Sequence, residues 1–136
     1  RRIMTVSLGV GARLPAFCAS LGRVLLGRKS EKELRNWLAA LKPERFTVHT
    51  KISKDKIRAA IETAKKNGYS YVEQELELGL CSLAVPVHNR QGEIIAALNL
   101  STPYRPDVES YATDKCLPVL RKAALAIEKT INASGF

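Results

Sequence analysis

Apolar and polar positions follow two different periods along this chain. From residue 3, Ile3, Met4, Val6, Leu8 and Val10 mostly alternate with polar neighbours, and Gly9 and Gly11 follow. That pattern predicts a strand ending in a loop. The spacing then changes to that of a helix. In AFCASLGRVLLG, Leu21, Val24 and Leu25 share one helical face and Gly27 can close it. Ser20 can cap its start, or Pro15 can begin it earlier. SEKELRNWLAALKP is a clearer helix: Ser30 and Glu33 form a capping-box pattern, Leu34, Trp37, Leu38 and Leu41 make one stripe, and Pro43 stops it. Residues 44–52, with His49, are expected to be an irregular connector. Ser53 caps a further helix with Ile57, Ala60, Ile61 and Ala64 facing inward, and Gly68 supplies the left-handed terminus.

Period two returns afterwards. YSYVEQ, LCSLAVPVH and EIIAALNLS read as strands, the last two joined by the turn signal NRQG. A long helix closes the chain, with Leu120, Ala124, Ile127 and Ile131 at helical spacing, and Pro118 should kink or restart it. Hairpin-linked strands with helices segregated around them indicate an α+β domain on an antiparallel sheet. The 136 residues suffice for one such domain, 1–136, with a core of its own.

Sorting the strands by face exposes the informative feature. Cys81, Leu83, Val85 and Val87 share one face of the first hairpin strand, and Leu80, Ser82 and Ala84 the other. Ala96, Leu98 and Leu100 oppose Ala97, Asn99 and Ser101 on its partner. Each strand thus has an apolar face for packing helices and a second face of small and polar residues. Such a face can floor a small-ligand pocket, meet solvent, or meet another subunit.

EQELELGL, residues 73–80, spaces three carboxylates two apart. Glu75 and Glu77 are expected to be solvated or paired with the basic half of the chain. Glu73, nearest the sheet, could accept a hydrogen bond from a ligand hydroxyl. No histidine accompanies them, because His49 lies in the connector and His88 borders the hairpin turn. Two histidines without clustered ligands argue against a metal, and no cofactor is expected. A small enzyme using a cysteine or a carboxylate in the same pocket is the alternative, although no base–nucleophile constellation is visible. Cys18, Cys81 and Cys116 are too far apart for a disulfide framework and suit a reduced, cytoplasmic setting with buried thiols.

Net charge of +9 raises nucleic acid as a partner. Residues 1–68 carry 16 Lys/Arg against 5 Asp/Glu, and residues 69–136 carry 6 against 8. The basic residues are scattered over helical outer faces without aromatic interleaving, which fits solvated surfaces better than a groove reader. No window approaches the roughly eighteen consecutive apolar residues of a membrane helix, so no membrane association is expected. The opening RRIMTV has no initiator methionine and reads as part of a longer protein.

ARLPAFCASLGRVLL, GYSYVEQELELGLCSLAVPV and IIAALNLS together resemble the effector-binding domain of IclR-type bacterial transcriptional regulators. The similarity extends to the subgroup controlling β-ketoadipate-pathway and aromatic-acid catabolism genes. The resemblance implies a GAF-like domain: a curved antiparallel sheet flanked by helices, holding a small organic acid. It also implies a preceding winged helix-turn-helix that reads DNA, a homodimer or homotetramer, and no enzymatic activity.

The family's pocket positions, carried over, are backbone groups at Ser20 and Leu21, then Leu80 and Ser82, and Asn99 and Ser101. Ile3 and Val6 match apolar wall positions. Ser82, Asn99 and Ser101 coincide with the small, polar face derived from alternation. Glu73 stands where many relatives have aspartate, and Cys81 where arginine is usual.

Overall fold

A computed structural model describes residues 9–135. The strand expected over residues 3–8, with Ile3 and Val6, lies outside the described residues. A turn at Gly9–Ala12 and a 3-10 turn at Ala16–Cys18, entered through Pro15, lead into α1 (Ser20–Leu26). Ala19, in extended conformation, occupies the N-cap position, so Ser20 is the first helical residue and does not cap α1.

Helix α2 (Glu31–Ala40) starts on the expected box: Ser30 Oγ accepts from the Glu33 amide and Glu33 accepts from the Ser30 amide. Leu34 and Leu38 are buried, and Trp37 and Leu41 pack against them. Helix α3 (Lys54–Asn67) begins at Ser53 and ends at Gly68, whose φ of 74° is the left-handed conformation glycine adopts without strain. These helices and the 3-10 turn enclose one core around Phe17, Leu26, Leu34, Leu38, Ile57 and Ile61.

Strands β1 (Ser70–Glu73), β2 (Leu80–His88) and β3 (Ile94–Pro103) form an antiparallel sheet in the order β1–β2–β3. Asn89 Oδ1 accepts from the Gln91 and Glu93 amides, which sets the β2–β3 turn. Register pairs Ser82 with Ser101 and Ala84 with Asn99, so the two small faces coincide.

The opposite face carries Leu83, Val85 and Val87 against α5 (Leu117–Ala133), forming a second core with Leu117, Leu120 and Ala124. Pro118 ends the irregularity that precedes it. After α4 (Val108–Tyr111) the chain widens into a π-helical segment, Ala112–Cys116, in which the Leu117 amide reaches back to Ala112. Lacking an N–H, Pro118 is accommodated at the restart of the regular helix. Ile127 does not join the buried stripe and is 39% exposed. The inward position one turn beyond Ala124 belongs to Glu128, which accepts from the His88 amide at 2.7 Å and meets the His88 ring at 2.9 Å.

Candidate functional site

The start of α1 lies over the small face of the β2–β3 hairpin. Between them is a cavity of about 30 Å³. Ser82, Asn99 and Ser101 form its polar floor, Leu80 stands beside them, and Ser20 and Leu21 contribute the helical side. Six sequence-predicted residues are therefore brought to one place. They meet because strand alternation puts Ser82, Asn99 and Ser101 on one face, and because the 3-10 turn aims the first turn of α1 at it.

α1 is seven residues long. What it offers is less a dipole than its leading amides, which have no acceptor within the helix. The volume suffices for about one water. Among the described residues the rest of the lining is apolar, with Leu14, Cys18, Val72 and Leu76 narrowing the space.

Glu73 is elsewhere. Val72 is the β1 residue that faces the cavity, so alternation turns Glu73 to the opposite side, where it is exposed and accepts from the Tyr71 hydroxyl at 2.8 Å. Its expected role as a cavity acceptor is not met. Ile3 and Val6 fall outside the described residues.

Glu75 meets the second of the two expectations, pairing with the basic half of the chain, and both Glu75 and Glu77 are buried, at 2% and 7% exposed. Glu75 receives both guanidinium nitrogens of Arg23 at 2.8 Å and the backbone and side-chain nitrogens of Lys51 at 3.1 Å. Burial by itself would raise the Glu75 pKa. The hydrogen bonds and charge of Arg23, supported by Lys51, outweigh it and hold the carboxyl below its ordinary value.

The two buried thiols, Cys18 and Cys81, are poorly suited to nucleophilic chemistry. Burial, aided by the Glu75 charge, pushes Cys18 up to about 12, and burial likewise raises Cys81. A thiol held protonated is a weak nucleophile. Among the described residues no group of three or more His, Cys, Asp or Glu is arranged to hold a metal ion, and no helix is long and apolar enough to cross a membrane. A larger surface groove of about 320 Å³, bordered by Val24, Lys65, Pro86, Arg121 and Leu125, contains none of the predicted positions.

Pattern reading missed Leu14, Cys18, Val72 and Leu76 as wall residues, and Arg23 as a buried cation. Leu14 and Cys18 lie in irregular backbone that has no period to read. Arg23 looks like any charge on an amphipathic helix until its partner, 52 residues away, is located.

The family model described as "Bacterial transcriptional regulator IclR C-terminal" matches residues 1–129. The chain belongs to the IclR family. Among curated IclR-type relatives, the Pca regulon regulatory protein of Pseudomonas putida is 37% identical over 123 residues, 90% of this chain and 42% of that protein. The chain thus spans less than half of that relative's length.

Solved structures agree. A transcriptional regulator from Rhodococcus sp. RHA1 superposes with a TM-score of 0.89 at 36% identity, over 99% of this chain and 55% of that one. The inducer-binding domain of PobR from Acinetobacter, a double mutant in complex with 3-hydroxybenzoic acid, gives 0.80 at 32% identity over 87% and 69%. The α+β architecture is that of IclR effector domains, and the relatives named here are transcriptional regulators.

Proposed function

We propose that this IclR domain senses a small carboxylic acid, an aromatic acid or β-ketoadipate-pathway intermediate, at the cavity between α1 and the β2–β3 hairpin. The observation that carries this reading is the convergence of Ser82, Asn99 and Ser101 beneath the leading amides of α1, inside an otherwise apolar enclosure. An aromatic ring suits Leu21, Val72, Leu76 and Leu80. A carboxylate suits the amides of Ser20 and Leu21, and a ring hydroxyl suits the serine and asparagine side chains. The 3-hydroxybenzoic acid bound by the PobR domain has this chemistry.

A cavity with room for about one water does not hold such an acid as it stands. Binding therefore selects or induces a more open arrangement, and the difference in affinity between the two arrangements is the signal. That signal passes to a separate DNA-binding module of the whole regulator, a cytoplasmic homodimer or homotetramer.

Calorimetric titration with protocatechuate, 4-hydroxybenzoate and β-ketoadipate tests the proposal. Saturable heat with at least one acid is expected. Absence of binding to all three, at concentrations reaching the millimolar range, refutes it.

A further inference from the structure

Among the described residues the cavity has walls of three origins: the sheet, the 3-10 turn with α1, and the loop joining β1 to β2. The sheet is held by its own ladder. What joins the other two is a buried ion pair that contributes no atom to the cavity lining. Arg23 is 2% exposed in the middle of α1. Its Nε donates to the Phe17 carbonyl oxygen at 2.9 Å, tying α1 to the 3-10 turn. Its two terminal nitrogens grip the Glu75 carboxylate.

Glu75 sits in a loop that is left-handed at both ends, with φ of 56° at Gln74 and 84° at Gly79. Gln74 Oε1 accepts from the Gly79 amide at 3.0 Å, bracing the loop across its mouth. The hydroxyls of Thr47 and Thr50 donate to the Gln74 and Glu75 carbonyls at 2.6 Å. Leu76, held between these anchors, forms part of the cavity wall and packs against the helical core.

A buried ion pair seldom adds net stability over an apolar pair of similar size, because desolvating both charges offsets their attraction. Its directional, two-pronged contact does fix geometry. We propose that Arg23 and Glu75 are positioning residues that latch the Leu76 loop onto the 3-10 turn and α1 and hold the cavity narrow. Breaking the latch frees Leu76 and shifts the domain toward an open cavity. Treating this as control of an effector site rests on the function proposed above; that the pair keeps the cavity narrow does not.

The chain carries a reporter for the test. Cys18 lies in the cavity wall and is fully buried; Cys81 is equally buried but belongs to the opposite face of the sheet. Cys116 is partly exposed and serves as an internal check on the reagent. Labelling by N-ethylmaleimide, resolved cysteine by cysteine through peptide mass mapping, is compared among wild type, Glu75→Gln, Arg23→Lys and the double variant Arg23→Met/Glu75→Leu. The double variant leaves no buried lone charge, so it keeps the comparison informative where a single variant does not fold.

In Glu75→Gln, Cys18 labelling is expected to accelerate selectively, by as much as on the order of a hundredfold if the whole cost of breaking the pair appears in opening. The double variant, which loses the directional fork without stranding a charge, is expected to accelerate it selectively but by less. Arg23→Lys, which retains charge without the fork, is expected to fall between these and wild type. Rates at Cys18 that do not change, or that rise in step with Cys81, overturn the latch. Titration of wild type with 4-hydroxybenzoate is scored separately. Failure of the whole acid panel there would remove the sensor reading while leaving the thiol result intact.

Discussion

Replacing Gly22 with alanine sets two effects of opposite sign against each other. Within a helix, alanine is favoured over glycine by about 1 kcal/mol, so propensity alone predicts a more stable α1. The packing predicts the reverse. A Cβ at position 22 would stand 2.7 Å from the carbonyl carbon of Ala16 and nearer still to that residue's oxygen and Cα. Those atoms are backbone of the 3-10 turn, held by Arg23 through the neighbouring Phe17 carbonyl, so no side-chain rotation relieves the overlap. Overpacking of this kind costs about 1–3 kcal/mol, occasionally more, and an obstacle that no rotamer change can relieve puts this site at the upper end, about 3 kcal/mol.

After the propensity gain, the expected net loss is about 2 kcal/mol, or a Tm lowered by roughly 5–10 °C for a domain of this size. Thermal denaturation followed by circular dichroism, with a urea titration at pH 7, measures both quantities. A Tm equal to or above wild type would show that α1 and the 3-10 turn do not approach as described. The cavity geometry would then be wrong as well, because both segments form its wall.

Other outcomes follow from the same geometry. Ser82→Leu and Asn99→Leu fill the polar floor with apolar bulk and are expected to abolish acid binding in calorimetry, while the far-ultraviolet dichroism remains that of wild type. Glu75 has a lowered pKa in the folded chain, so its contribution is present above its unfolded pKa of about 4.3 and is lost as pH falls through the folded value. Acid denaturation of Glu75→Gln should lack that component and be shallower below pH about 4.

The buried thiol Cys18 has the opposite sign. Its folded pKa near 12 makes it stabilising below its unfolded value, and that stabilisation declines as pH rises toward the folded one. The decline amounts to about 1.4 kcal/mol per pH unit. Cys18→Ala should flatten the alkaline part of a stability–pH curve measured by urea denaturation. Ser30→Ala removes the side-chain half of a capping box and is expected to cost about 1 kcal/mol, seen as a lower urea midpoint with unchanged slope.

Much of this domain could be read residue by residue. Ser30, Ser53, Gly68 and Pro118 announce helix boundaries because caps, left-handed glycines and missing amides act over a few residues. The alternation in β2 and β3 sorted Ser82, Asn99 and Ser101 onto one face before any partner strand was known, since side-chain direction in a strand follows from parity. Local rules were less reliable for Ile127 and Glu128. Helical spacing allows either to complete the stripe of α5, and the choice fell to Glu128 because His88 is there to receive it.

Glu73, Glu75 and Glu77 divide the two kinds of information most sharply. Sequence alone determined that carboxylates occur here at every second residue, near a strand end, and that the hairpin beyond has one small, polar side. Only the tertiary structure decided that Glu73 turns away to Tyr71 while Glu75 is buried against Arg23. It also decided how much space remains over the polar face. Periodicity reports the direction of a side chain from its own backbone, whereas burial of a charge and the size of a cavity depend on groups that meet only after folding, here from positions 23, 51 and 75.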